Sequence, residues 1–354
     1  MCAKNQLALF RMKGYSGFDN IITQIIFQTL KGQKMTTDSM SSVALTFPGQ
    51  GSQYIGMGKD LAEHRSEAAL VFEEVDDAIG MSLSKIIFAG DEQELKLTEN
   101  TQPALMAVSM AVIKVLEQEG FVIKDDVRLM AGHSLGEYSA LCAAGVFSIA
   151  DTAKLLRLRG KAMQKAVAVG EGAMAAILGL EIADVEALVG EVASNSDIVS
   201  VANDNAFGQV VISGQTAAVE KAAELAKAKG AKRALILPVS APFHCSLMQP
   251  AADEMAEALK NTNLKAPIVP IMANVTAALT NDPEEIRRLL VEQVTGVVRW
   301  RESVLNMGAM GISSLVEVGA GKVLSGLARR IDKEIATQSI ESLASIDEFM
   351  TANN

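Results

Sequence analysis

Beyond Val43, an apolar strand twice runs without interruption into a glycine turn and then a helix. Val43 to Phe47 leads into Pro48-Gly-Gln-Gly-Ser-Gln53 and a helical period from Met57 to Asp77. Val127 to Ala131 leads into Gly132-His-Ser-Leu-Gly136 and an alanine-rich helix that begins at Glu137 and ends near Gly145, with a helix from Pro103 to Glu119 standing before it. Strands joined through helices cannot pair as tight hairpins, so the pattern implies a parallel α/β sheet with sites at the carboxyl ends of its strands.

Between Gly172 and Val239 the rhythm changes. Strand Ala173 to Leu178, helix Ile182 to Val192, strands Ile198 to Ala202 and Gln209 to Ser213, helix Thr216 to Lys229 and strand Ala234 to Val239 spell βαββαβ, a ferredoxin-like unit. Elements of the first kind resume afterwards, strand Leu315 to Val318 and helix Lys322 to Ile331, so the unit reads as an insertion. The expected fold is α/β: a large hydrolase-like parallel-sheet subdomain, residues 41–170 and 240–340, with a small ferredoxin-like subdomain inserted at 171–239 and a C-terminal tail at 341–354. A cleft between two subdomains is a default ligand site. The first 40 residues carry five Lys or Arg and a mildly amphipathic stretch around Ile21 to Leu30. They read as an extension outside the fold, and two origins stand: an organellar transit peptide, or upstream sequence taken in by an early start codon ahead of Met35 and Met40.

Composition removes several functions. With 32 Lys plus Arg against 42 Asp plus Glu the net charge is −10, so no broad cationic surface is available for a phosphate backbone and nucleic acid is excluded as a partner. No apolar run approaches the ~20 residues of a membrane span. Cys2, Cys142 and Cys245 are too scattered for a disulfide framework or a metal cluster, which fits a reducing, cytoplasmic setting, or an organellar matrix if the extension is a transit peptide.

Gly132-His-Ser134-Leu-Gly136 is a G-x-S-x-G set directly after a strand and before a helix, the setting of a nucleophile elbow. Its glycines allow a sharp turn that projects the Ser134 hydroxyl, and the next N–H, that of Leu135 at a helix start, points where an oxyanion would form. The plainer alternative is a helix N-cap serine after a glycine turn. A serine hydroxyl needs a base, usually histidine, and the chain holds three: His64, His133 and His244. His64 falls in a polar helix pattern, and His133 adjoins the serine on the turn, where its side chain points away. His244, in Val239-Ser-Ala-Pro-Phe-His-Cys-Ser-Leu247, is the favoured base. No acidic residue after it stands out as an orienter, so a carbonyl is the alternative acceptor for the imidazole N–H. Two rival functions remain at this level, a serine thioesterase or esterase and a non-catalytic acyl-binding module.

Phe47-Pro-Gly-Gln-Gly-Ser-Gln53, Gly132-His-Ser-Leu-Gly-Glu-Tyr138, Arg159-Gly-Lys-Ala-Met-Gln164, Asn203-Asp-Asn205 with Gly208-Gln-Val-Val-Ile-Ser-Gly214, Pro242-Phe-His244 and Glu317-Val-Gly-Ala-Gly-Lys322 together resemble the malonyl-CoA:acyl carrier protein transacylases, in family order and at family spacing. The resemblance covers about Val43 to Ile331. One departure is Ala320, where many members carry proline.

The resemblance implies Ser134 as nucleophile and His244 as base and acid, with the N–H groups of Gln50 and Leu135 as the oxyanion hole and the carbonyl of Gln293 orienting the histidine. It assigns Arg159, rather than Arg157 on the same expected helix Asp151 to Val167, to the carboxylate of the malonyl group, and Asn203 and Asn205 to substrate binding. Phe243 would fill the space of a 2-methyl branch. The implied activity is ping-pong transfer of malonyl from malonyl-CoA to the phosphopantetheine thiol of acyl carrier protein for fatty acid synthesis, by a discrete monomeric enzyme with no cofactor and no metal. Because such carriers are acidic, docking calls for a local basic patch; Lys227, Lys229, Lys232, Arg233, Lys322, Arg329 and Arg330 are the candidates, against the plain reading of solvated helix faces.

Overall fold

A computed structural model describes residues 42–353; the extension 1–40 and the choice between its two origins lie outside the described residues. In chain order, β1 (Val43–Phe47) and β2 (Leu129–Gly132) come first. β3 (Gly172–Leu178), β4 (Val199–Ala206), β5 (Gln209–Gln215) and β6 (Arg233–Ile236) follow. β7 (Ile271–Ala273), β8 (Ala278–Thr280), β9 (Ser314–Val318) and β10 (Ala336–Ile340) come last.

Six of these strands form one sheet in the order β10-β9-β1-β2-β7-β8, parallel throughout except for the β7–β8 hairpin at one edge. Helices cover both faces, which is why β1 is apolar on both sides: Leu45 and Phe47 enter one core with Met130, and Ala44 enters a second with Leu129, Met272 and Trp300. The other four strands form an antiparallel sheet in the order β4-β5-β3-β6, the ferredoxin-like arrangement, over its own core of residues such as Ile177, Val185 and Val219. The α/β class and the two kinds of sheet expected from the sequence are the ones observed.

Register places the functional loops. Phe47 pairs with Gly132, so β1 and β2 end level and their two glycine turns leave the sheet side by side. The approach is close enough that a Cβ on Gly136 would lie 2.2 Å from the Phe47 carbonyl oxygen, so only glycine fits.

Several expectations need correction. The helical period from Met57 to Asp77 is two helices, Lys59–His64 and Ser66–Ile79, because Arg65 is extended and its guanidinium pairs with Glu67 and Glu119. The helix expected to start at Pro103 starts at Thr98, with the proline inside it. Of the expected tail 341–354, the described residues are packed structure: helix Leu343–Asn353 buries Ile346 and Phe349, and the Phe349 ring meets Phe121 edge-on at 5.6 Å. The segment after Cys245, unassigned by pattern, supplies β7, β8 and helices Gln249–Lys260, Pro283–Thr295 and Trp300–Ala309.

Candidate active site

Ser134 sits at the junction of β2 and helix Leu135–Ala143 with φ 53° and ψ −109°, a conformation that costs a non-glycine residue about 1–3 kcal/mol. What holds it is Asn274, immediately after β7 and 3% exposed. Its Oδ1 accepts from the Ser134 N–H at 2.7 Å, and its Nδ2 donates to the Gly132 carbonyl at 2.6 Å. One amide therefore clamps both sides of the turn. Leu135 opens the helix, where the first N–H groups have no intrahelical acceptor. The Gln50 loop comes alongside, and the Gln50 side chain accepts from Thr98 Oγ1 at 2.9 Å.

His244 lies 110 residues on, at φ 60°, and its Nε2 is 2.8 Å from Ser134 Oγ. Nδ1 faces two carbonyl oxygens, Gln293 at 2.8 Å and Gly296 at 3.2 Å. Carbonyls only accept, so the proton is on Nδ1 and the Nε2 lone pair faces the serine hydroxyl. Helix Pro283–Thr295 ends here, and carbonyls of a last helical turn lack partners of their own, which leaves them free to orient the ring. Burial first, and the charge of Arg159 second, push the imidazole down to about 3, so it is a neutral acceptor at physiological pH.

Arg159 is 1% exposed on helix Ile149–Ala166. Nη1 donates to Gln102 Oε1 at 2.8 Å, and Nη2 donates to Gln293 Oε1 at 2.8 Å and to Ser134 Oγ at 3.1 Å. Nε has no partner. Among the described residues no carboxylate pairs with it directly; Glu137 reaches it only through Gln293, whose Nε2 donates to Glu137 Oε2 at 2.6 Å. Burial raises the Glu137 carboxyl to about 7 against the hydrogen bonds that favour its charge. Arg157 is turned away. It donates to Asn100 Oδ1 and, at 3.1 Å, to the Glu99 carbonyl, the acceptor that Pro103 leaves unbonded four residues later in the helix. The two helices cross tightly beside it: a Cβ on Gly160 would lie 2.5 Å from Glu99 Cα.

These groups surround a cavity of about 120 Å³, well below the ~300 Å³ at which drug-sized ligands begin to fit. Apolar Leu135, Met163, Met174, Leu237, Val239 and Phe243 line it together with polar Gln50, Gln102, His133, Ser134, Arg159, Asn203 and His244, so His133 borders the cavity although its ring is bonded elsewhere. Larger surface hollows, such as one of about 650 Å³ beside Cys142, hold no serine–histidine pair. Asn205 is not in the cavity wall; its Oδ1 accepts from His133 Nε2 at 2.8 Å, tying the ferredoxin-like sheet to the elbow. Among the described residues no group of three or more His, Cys, Asp or Glu side chains could hold a metal, and no helix is long and apolar enough to cross a membrane.

Of the basic candidates, Lys229 pairs with Glu191, and Arg329 and Arg330 are bonded to Thr337 and Gln209. Lys232 and Arg233 are exposed at the start of β6, which runs towards the cavity-lining Leu237. Pattern reading missed Asn274, Gln102 and the role of the Glu137 carboxylate. Glu137 lies inside the quoted elbow motif, but Asn274 and Gln102 carry no local signal, since each matters only through a partner far along the chain.

The acyl transferase domain family matches residues 45–345. The malonyl CoA-acyl carrier protein transacylase of Escherichia coli strain K12 is 47% identical over 292 residues, 82% of this chain and 93% of that protein. An acyl-carrier-protein-S-malonyltransferase from Bartonella henselae superposes with a TM-score of 0.86 at 58% identity, over 88% of this chain and 98% of that one. A malonyl-transacylase solved in complex with its type II PKS acyl-carrier protein superposes with a TM-score of 0.85 at 43% identity, over 89% of this chain and 100% of that one.

Proposed function

The chain belongs to the acyl transferase domain family, among its malonyl CoA-acyl carrier protein transacylases, and on that premise we propose that it carries malonyl from malonyl-CoA to acyl carrier protein on Ser134, for fatty acid synthesis. The observation that carries this reading is the buried Arg159 guanidinium, without a direct carboxylate partner among the described residues, 3.1 Å from Ser134 Oγ. A buried cation costs several kcal/mol unless an anion meets it, and a malonyl group brings a carboxylate to that position. A planar fork holds both carboxylate oxygens and aims the thioester carbon at the serine. The small cavity suits a three-carbon acyl group and has no room for a long chain.

The chemistry runs through the serine–histidine pair. Ser134 Oγ bonds to the thioester carbon while its proton passes to His244 Nε2, and the carbonyl electron pair moves onto oxygen, between the N–H groups of Leu135 and Gln50. Collapse breaks the carbon–sulfur bond, and the CoA sulfur takes the proton back from Nε2. The phosphopantetheine thiol then gives its proton to Nε2 and attacks the malonyl-serine ester, whose carbon–Oγ bond breaks as Ser134 Oγ takes the proton back from Nε2. The carbonyls of Gln293 and Gly296, at the negative end of helix Pro283–Thr295, stabilise the imidazolium formed in each step. Asn203 lines the acyl pocket, and Phe243 sets its width.

Intact-protein mass after mixing with malonyl-CoA tests this. One malonyl adduct is expected, with CoA release stopping near one equivalent until carrier protein is added, and Ser134→Ala should show no adduct. Continuous CoA release without carrier would make the enzyme a thioesterase, and an adduct on the alanine variant would remove the serine from the mechanism. Charge reversal at Lys232 and Arg233 should raise KM for carrier protein and leave acylation by malonyl-CoA untouched.

A further inference from the structure

Arg159 has five N–H donors, and both hydrogens of Nη2 are committed, one to Gln293 Oε1 and one to Ser134 Oγ. A carboxylate gripping the Nη1–Nη2 edge must displace one of them. Gln293 is fixed from its other end, where Nε2 donates to Glu137 Oε2 at 2.6 Å and to the Ser134 carbonyl at 3.0 Å. The bond to the serine hydroxyl is the one that yields. We infer that the Arg159–Ser134 contact restrains the nucleophile and that the carboxylate of the incoming acyl group releases it, so that the substrate's own acid group switches on the serine–histidine pair.

This rests on the malonyl reading above and adds a rate effect to a binding role. Ser134 Oγ donates to His244 and accepts from a cation, so a lone pair needed for attack is held by the strongest donor in the cavity. The same positive charge opposes proton transfer to His244, which must become an imidazolium; the depressed basicity of that ring has Arg159 as its second cause. A carboxylate on the guanidinium removes both obstacles at once. The covalent step keeps the balance given above, with the serine proton going to Nε2 and then to the leaving thiolate. An acetyl thioester leaves the guanidinium on the serine and reacts slowly even when bound, so discrimination appears in the acylation rate as well as in affinity.

Acetyl-CoA plus formate reconstitutes malonyl-CoA in two pieces, and it requires no mutation. Single-turnover acylation of Ser134 by acetyl-CoA is followed by quenched intact mass, with sodium formate compared to sodium chloride at equal ionic strength. Formate should accelerate acylation about tenfold, the scale of one charge-assisted hydrogen bond, and should do nothing in Arg159→Ala. That variant, and Arg159→Gln as a bulkier replacement, should acylate faster with acetyl-CoA than the parent in absolute terms. The restraint is overturned if formate competes with malonyl-CoA yet leaves the acetyl rate unchanged or lowers it. If formate does not compete, an absolute acetyl rate that fails to rise in both variants overturns it. Loss of malonyl transfer without either acceleration would leave Arg159 as a clamp alone, whereas unchanged malonyl transfer in the variants would sink the carboxylate reading itself.

Discussion

Asn274→Ala should cripple the enzyme although Asn274 does not line the cavity. The substitution removes the acceptor for the Ser134 N–H, at 2.7 Å, and the donor to the Gly132 carbonyl, at 2.6 Å, at a site 3% exposed. A backbone group left unpaired costs about 1–3 kcal/mol when buried, and the Ser134 N–H is only part-buried, so the two together should destabilise the fold by roughly 2–4 kcal/mol. The kinetic loss has a separate origin. Ser134 holds φ 53° and ψ −109° against about 1–3 kcal/mol of backbone strain, and without the clamp it relaxes towards an ordinary conformation. Its Oγ then leaves the 2.8 Å contact with His244 Nε2, and a shift of ~1 Å at reacting atoms costs on the order of a hundredfold in rate. Asn274→Asp retains the acceptor but loses the donor and brings a second carboxyl towards Glu137, so it should fold no better. Urea unfolding gives the stability, and rapid-quench formation of the malonyl-enzyme gives the rate, with KM for malonyl-CoA little changed. A variant within about 0.5 kcal/mol of the parent in stability, a change typical of neutral surface sites, and within about twofold in acylation, far from the expected hundredfold, would refute the clamp.

Other outcomes follow from the same geometry. An unperturbed histidine base would cost kcat/KM about thirtyfold by pH 5, but with His244 pushed down to about 3 the profile for malonyl-CoA should stay nearly flat through pH 5. An acid limb centred near 6.5 would contradict this. Glu137 has the opposite sign: its folded value, about 7, lies above the ordinary 4.5, so the folded protein keeps a proton that the unfolded chain has released. Its contribution to stability is fullest below 4.5 and declines by about 3 kcal/mol as pH rises to 7. Glu137→Gln should flatten that decline in a series of denaturation curves, and an unchanged slope would place the titration elsewhere. Phe243→Ser should raise methylmalonyl transfer relative to malonyl, because the ring forms a wall of the small cavity; an unchanged ratio in a competition assay would remove the steric role.

Features with a local cause are legible in the chain of residues. A strand buried on both faces must be largely apolar, a turn passing within van der Waals contact of a neighbouring strand must be glycine, and a βαββαβ order leaves few ways to pair four strands. β1, the elbow at Gly132 to Gly136 and the ferredoxin-like sheet were therefore readable, and three histidines made the pairing of Ser134 with His244 a short choice. Where a helix breaks without glycine or proline, as at Arg65, or a short amphipathic helix closes the chain, as at Leu343–Asn353, the deciding contacts come from elsewhere and no pattern marks them. The site's support belongs to the same class. Arg157 and Arg159 lie two residues apart on one helix, about 200° around its axis, and their chemistry is identical. The motif resemblance picks Arg159, but the physical cause lies in the packing against helix Thr98–Gln118, where Pro103 frees the Glu99 carbonyl that helps to hold Arg157 outside while Arg159 is carried into the cavity. Asn274 and Gln293 reach Ser134 across 140 and 159 residues of chain. Hydrogen bonds of that span exist only once the sheet has set its register, and so the tertiary structure alone could assign them.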